Sequence, residues 1–503
     1  MTTAVEKPAA SGTRDEPGGP FKAVLALALF ESRRLLTRIP VLLAFAVYLG
    51  WTVWRSGRAW GDYPALQDAD RATQSAPMLV GLAVLLSVNQ AALRSRRYGT
   101  ERHFAVLLLP HWCRTVAHAL AVLAAALVTA VCVAGQFGRE ALRPGAIGQG
   151  SVGELLVGPL TVLLFGLAGL LVAGLVRSPL AAPLLVVLFL FLFLFLSGMD
   201  YGSRWLLPAV EESTSNTLPS DLMGRPAAWH ALYLAGLALS LGLAAVLVAG
   251  GRKPAVLAGT AGALAMTLIG GVAQSGGDSP RLVEARERAT VRPEQVQTCV
   301  RRDGSTYCAF PDWGPRVGDW AAVVHRVRSL AGGGAHEQDV VVRQRVEARY
   351  GLSGDGALMP LERPHEVTVG TQWGGNRVPE FSAAVAGVLV AGDEKAATSI
   401  CDARIIPLMW LAVGWESDPL DALRRVRLDD SITGSAMVLQ PTSGLTMTAA
   451  QTDVLRALLD LPRGEAGARV KDRWRELTAP KVTAARAAAL LDLPAPDGED
   501  KCL

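Results

Sequence analysis

The sequence predicts a polytopic α-helical membrane domain followed by a soluble α+β domain. Three observations predict it. Stretches of about 20 apolar residues with almost no charge, long enough to cross a bilayer core, recur before residue 275 and not after it. Cationic residues flank every second stretch, which is the charge pattern of a multi-pass membrane protein. Beyond residue 275 charged residues return, together with a hairpin pattern that carries two cysteines. A mean hydropathy of +0.30 over 503 residues is high for a soluble chain of this length. The net charge of +4 is mild and gives no basic footprint for nucleic acid.

Residues 1–20, "MTTAVEKPAASGTRDEPGGP", are polar and rich in Pro, Gly and small residues, so a disordered tail is expected. They lack the apolar core of a signal peptide. In "FKAVLALALFESRRLLTR" (21–38) Lys22, Glu31, Arg33, Arg34 and Arg38 interrupt the apolar run. A helix lying in the headgroup plane is expected there. A transmembrane domain over 39–275 follows, with seven spans near 39–55, 75–93, 115–137, 155–176, 179–198, 229–250 and 255–273. The fifth contains "LFLFLFLFLSG", whose alternation looks like a strand. Leu fills every gap between the Phe residues, so no polar face exists, and a helix surrounded by lipid accounts for it better.

Flanking charge gives a direction. Cations lie before the first span, in the 94–114 loop, at Arg177, and at Arg252 and Lys253, while the loops 56–74 and 199–228 carry the acidic residues. Positive charge after every second span places the N-terminus in the cytoplasm. The odd number of spans then places residues 276–503 outside the cell membrane, as an extracytoplasmic α+β domain. Trp51, Trp54, Trp205 and Trp229 are expected at the outer interface as amphipathic anchors. No Asp, Glu, Lys or Arg falls in the middle of a span, which argues against a proton- or ion-coupled pump. Gly166, Gly169, Gly174, Gly259 and Gly262 are read as points of close helix packing.

The stretch "RSRRYGTERHFAVLLLP" (94–110) carries more than a topology signal. Basic residues are followed by Gly-Thr-Glu, an apolar turn, a proline and a basic residue entering the next span. This order, with the interfacial helix ahead of it, resembles the first cytoplasmic loop of ABC-2 type transporter permeases. Arg96, Arg97, Gly99, Thr100, Glu101, Pro110 and Arg114 stand where that pattern puts them, and His103 departs from it. The resemblance covers roughly residues 21–250. It implies a short coupling helix that docks in a groove of a separate ABC ATP-binding subunit, and a pairing with a second permease copy or a homologous permease. Independently of the family, a short helix with apolar residues toward a partner and cations around them is a helix-in-groove ligand. Thr100 is expected to cap it and Glu101 to suit its first turn.

Several chemistries find no support. The chain has no G-x-x-x-x-G-K-[ST] loop to bind ATP itself, and neither H-E-x-x-H nor G-x-S-x-G. "GQGSVG" (148–153) matches G-x-G-x-x-G but lacks a preceding strand. Cys113 with His103, His111 and His118 has poor spacing for convergent metal ligands. No cofactor and no catalytic residues are expected.

In "QTCVRRDGSTYCAFPDW" (297–313) two β-rich runs flank Asp303-Gly304, a hairpin turn signal. Cys299 and Cys308 stand on opposite arms, and outside the cytoplasm the simplest pairing is a cross-hairpin disulfide. A bridge between Cys401 and Cys502 is left open. "GPRVGDWAAVVHRVRSLAG" is expected to be a helix with Trp320, Val323, Val324 and Val327 as one face. "DVVVRQRVEARYG" and "HEVTVGTQW" read as strands, and helices dominate from about 381 onward. The cysteine hairpin resembles outer segments of actinobacterial ABC permease-like membrane proteins. The expected function is the permease subunit of an ATP-driven exporter, with a non-transporting sensor or scaffold that binds a ligand through its outer domain as the alternative.

Overall fold

The computed structural model describes residues 19–57, 64–100, 109–198, 205–210, 217–351, 358–429, 436–438, 440–498 and 500. Residues 1–18 of the expected tail lie outside them, whereas Gly19 and Pro20 already belong to the first helix. The fold is mostly helical. Its N-terminal part comprises α1 (Gly19–Leu36), α2 (Ile39–Gly57), α3 (Pro77–Ala92), the short α4 (Arg94–Arg97), α5 (His111–Ala141), α6 (Val152–Leu175), α7 (Ala181–Ser197), α8 (Ala227–Val248) and α9 (Pro254–Ser275).

Among the described residues, five helical segments are long and apolar enough to cross a membrane: Leu66–Ala92, His111–Ala141, Val152–Leu175, Ala227–Val248 and Pro254–Val291. Helices α1 and α2 meet at 60° and make a sixth if taken as one broken span. Two of the seven expected spans are therefore less regular. The 39–55 stretch is one arm of the bent pair, and 179–198 is the 17-residue helix α7.

Apolar residues at helical spacing build the bundle core. Val80, Val84 and Val88 of α3 meet Val122 and Ala125 of α5, Val162 of α6 and Leu234 and Ala238 of α8. The closest approaches use glycine because a methyl group would collide with backbone. A Cβ at Gly169 would lie 2.4 Å from the Leu85 oxygen, and one at Gly270 would lie 2.6 Å from the Tyr233 nitrogen. Gly262, expected to pack, has open space beside it. The outward faces are apolar, as hydrocarbon requires: Leu42, Leu43 and Val47 on α2, Leu184, Phe191 and Leu194 on α7, and Leu264, Leu268 and Val272 on α9 are all exposed. Trp205 departs from the anchor role. It is 2 % exposed and meets the His230 ring edge-on at 5.4 Å, because the chain after α7 folds over the end of the bundle.

The C-terminal part begins with α10 (Pro280–Val291) and a four-stranded sheet, β1 (Thr298–Arg302), β2 (Ser305–Ala309), β3 (Val341–Gln344) and β4 (Glu366–Val369), ordered β1-β2-β3-β4. Asp303 and Gly304 both have positive φ, as a tight hairpin demands. The β1–β2 register sets Cys299 opposite Cys308, and the two form a disulfide. Cys113 and Cys132 are free thiols. Cys401 is disulfide-bonded, and Cys502 lies outside the described residues. The sheet is mixed, since β2, β3 and β4 run parallel. Parallel neighbours need a crossover, and α11 (Val317–Leu330) supplies it between β2 and β3. Its buried face includes Trp320, Val323, Val324 and Val327, as the sequence predicts.

Helices α12 (Arg377–Ala391) and α13 (Ile405–Val413) are apolar but too short to cross a bilayer, and both are buried in this domain's core. Gln344, wholly buried, closes the carboxyl end of the parallel strands. Its Oε1 accepts the Phe310 N–H at 3.0 Å and its Nε2 donates to the Gly370 oxygen at 3.5 Å. Behind β4, burial lifts the Glu394 carboxyl above the usual carboxylate range, although the N–H groups of Leu361 and Thr368 pull it down. A three-stranded sheet, β5 (Arg427–Asp429), β6 (Ala436–Val438) and β7 (Leu445–Met447), and a run of short helices complete the chain.

The two parts share one core. Ile147, Leu218, Leu222 and Met223, from loops at one end of the bundle, belong to the same apolar cluster as Trp313 and Trp320. Polar contacts follow the same line. The Ser220 N–H donates to Asp312 at 2.8 Å, and buried Arg286 of α10 donates to the oxygens of Leu222 and Met223, each at 2.9 Å, while pairing with Asp278. Removing a buried cation from such a set leaves acceptors without donors. Arg286→Met is expected to cost about 3 kcal/mol of stability, read as a lowered melting temperature of the purified chain. Opening the short cysteine loop with Cys299→Ser is expected to cost about 2–3 kcal/mol, which in a domain of this size is a drop of roughly 5–10 °C.

Candidate functional site

The cation-rich end of the bundle lies opposite the end that meets the C-terminal domain. Arg38, at the α1–α2 bend, donates to the Ser87 oxygen near the end of α3 at 2.9 Å. Lys253, after α8, stands 4.5 Å from the Trp112 ring at the start of α5. A Cβ at Gly174 would lie 3.2 Å from Val248, so the α6–α7 connection with Arg177 falls at this end too. All the cationic clusters expected on one side of the membrane therefore share one end.

Within this end, α1 explains its own charges. Val24, Ala28, Glu31 and Leu35 fall on one helical face and are buried, Val24 and Ala28 against Cys113 and Ala117 of α5. Phe21, Leu25, Leu29 and Phe30 are exposed on the other side. Glu31 thus faces inward, while the apolar Phe21, Leu25, Leu29 and Phe30 share the exposed side with Lys22, Arg33 and Arg34. Glu31, 7 % exposed, pairs with Arg94 at 3.3 Å. That ion pair fastens the first residue of the predicted coupling segment to the helix that opens the membrane part. The sequence reading counted Glu31 only as a charge that disfavours crossing; its place on the 24/28/31/35 face was the available signal.

The predicted site residues separate into two groups. Arg96 and Arg97 lie on α4, Arg96 half-buried and Arg97 exposed. Gly99 has φ +66°, a left-handed turn that ends α4. Thr100 then sends both its N–H, at 2.9 Å, and its hydroxyl, at 3.3 Å, back to the Ser95 oxygen. The expected cap for a following helix is thus, among the described residues, a closure of the preceding one, because the turn at Gly99 brings Thr100 over the carbonyls of α4. Glu101 and His103 lie outside the described residues, as does the apolar turn up to residue 108. Pro110 stands immediately before α5, and Arg114 is half-buried in its first turn. At the far end, the disulfide of Cys299 and Cys308 belongs to the C-terminal domain. "GQGSVG" also receives a structural reason. The glycines at 148, 150 and 153 pack on Gln67, Phe137 and the Ala227 backbone, which leaves no cradle for a phosphate.

Compared with known proteins, the chain matches no family model, no curated protein and no solved structure. The class that the fold defines is a bundle of five to six potential membrane-crossing helices joined to a domain with a small mixed sheet.

The Glu31–Arg94 pair is mostly removed from solvent, so its two halves are unequal in what they leave behind. Arg94→Met, which strands the buried carboxylate, is expected to destabilise more than Glu31→Gln. The double variant should fall short of the sum by about 1 kcal/mol. Thermal unfolding of the four proteins in one detergent gives the cycle.

Proposed function

We propose that the chain is the membrane subunit of an ATP-driven exporter of the ABC-2 type. Energy enters through a separate ATP-binding subunit that grips the 94–114 segment, with Arg96, Arg97, Gly99, Thr100, Glu101, Pro110 and Arg114 in or beside the contact. The observation that carries this reading is the division of the bundle. The cationic clusters around Arg38, Arg94, Arg177 and Lys253 share one end and the folded domain meets the other, while no nucleotide-binding loop occurs in the chain. Under the positive-inside rule the cationic end faces the cytoplasm, and the C-terminal domain then stands outside the cell membrane. A disulfide in that domain suits an oxidising compartment.

The ion pair to Glu31 supports a mechanical role for the segment. A pull on α4 acts through Arg94 on α1, and through Pro110 on the first turn of α5. Either a second copy or a homologous permease completes the transporter, and the lipid bilayer is its solvent.

Affinity purification of the full chain from its native membrane is expected to bring down a P-loop ATPase. The charge reversal Arg96→Glu with Arg97→Glu should reduce that recovery at least about tenfold, the equivalent of 1.4 kcal/mol, without loss of the permease itself. A chain that purifies from native membranes with no ATPase would make it a sensor or scaffold instead.

A further inference from the structure

A cavity of about 550 Å³ lies where the bundle meets the C-terminal domain. One wall is the end of α2 with the segment from Pro64 to Ala76, and the other is the turn Thr371–Trp373 with Arg316 and Arg377. This second wall follows the carboxyl ends of β2 and β4, the edge at which parallel sheets hold ligands. The volume is that of an ordinary small-molecule site.

Its lining has two characters. Toward α2 it is aromatic: Trp51 and Trp54, ring centroids 5.0 Å apart, are half exposed, and Val53 and Val47 on the same helix are exposed to the surroundings of the bundle. Toward the sheet it is cationic. Arg316 and Arg377 line it there, Arg55 lines it from the end of α2, and the only carboxylates among the described lining residues are Asp68 and Glu140. Asp68 is held by Arg71 at 3.3 Å and Glu140 by Arg143 at 3.0 Å. Arg316 and Arg377 each bridge an acid one turn into their own helices, Asp319 at 3.1 Å and Glu380 at 2.7 Å, outside the lining. Among the described lining residues three arginines stand against two carboxylates.

We propose that this cavity binds an anionic amphiphile taken from the membrane, its chain against Trp51 and Trp54 and its head toward Arg55 and Arg377. An aliphatic tail accounts for an aromatic wall that opens on a lipid-facing helix. A negative head accounts for Arg316 and Arg377 at the carboxyl edge of a sheet and Arg55 on the wall across from them. The inference needs the bundle to sit in a bilayer; it does not rest on the ATPase coupling, and a chain that never binds an ATPase could still show it.

The test uses full-length protein in neutral phosphatidylcholine nanodiscs and a brominated fatty acid, which quenches tryptophan on contact. Saturable quenching is expected from the acid, and only weak, linear quenching from its methyl ester. Arg55→Gln with Arg377→Gln should weaken the saturable phase at least tenfold. Trp51→Phe with Trp54→Phe, at half-exposed positions, should remove most of its amplitude, and this variant carries the test if the arginine pair fails to fold. Equal saturation by the methyl ester would overturn the anionic head. Displacement of the acid by inorganic phosphate at similar concentration would assign the cavity to a free anion and overturn the amphiphile. Undiminished quenching in the tryptophan variant would place binding elsewhere and sink the proposal.

Discussion

The structure depends on one constraint: the loops at one end of the helical bundle are buried in the core of the C-terminal domain. Ile147, Leu218, Leu222 and Met223 do not cap the bundle against solvent; they share a cluster with Trp313 and Trp320. Backbone that leaves a helix in such a place must find partners. Here the partners come from both sides. The Leu66 N–H donates to the Ile147 oxygen at 2.8 Å, the Ser151 N–H to Asp70 at 2.8 Å, and Arg225 to the Gln67 oxygen at 3.0 Å. Arg286 then ties the same loops to the helix that leads into the sheet. Membrane part and C-terminal domain are one folding unit at this junction, not two domains on a tether.

The opposite end works by electrostatics. Its cations are set by sequence position, but their partners are set by the packing of α1. Burying Val24, Ala28 and Leu35 also buries Glu31, and a buried carboxylate requires a cation within reach. Arg94 is that cation. A helix that reads as too charged to enter a membrane region keeps its cations Lys22, Arg33 and Arg34 exposed beside Phe21, Leu25, Leu29 and Phe30, and only its one acidic residue faces protein. The charge count of a segment and the charge of its lipid-facing side are different quantities, and only the second meets hydrocarbon.

Much of this was legible. Runs of uncharged apolar residues mark helices because the same one-dimensional property, hydropathy over about 20 residues, is what a bilayer selects. The α11 face and the cysteine hairpin were legible for the same reason: period and turn chemistry are local. What the sequence concealed is relational. Trp205 looks like an anchor by its position after a span, yet it is buried against the His230 ring. Thr100 reads as the start of a helix that lies outside the described residues, and the left-handed turn at Gly99 also lets it bond back to the Ser95 oxygen. Parallel pairing of β2, β3 and β4 depends on where α11 returns the chain, which no window of residues encodes. Gln344 reads as an ordinary strand residue and closes three strand ends only once they are parallel.

The two ends are connected by the stiffest parts of the molecule. Helix α5, 31 residues long, begins beside Pro110 at the cationic end and carries Gln136, which donates to the Ala72 oxygen at 3.3 Å, at the other. Tyr48 of α2 reaches the same Gln136 at 3.1 Å. A tilt of α5 at its first turn must then move Gln136, and with it the Pro64–Ala76 wall of the cavity, because packed helices transmit displacement with little compression. Both walls are tied to one core: Thr371 accepts from the Trp313 indole at 2.9 Å, and Leu66 donates to the Ile147 oxygen at 2.8 Å.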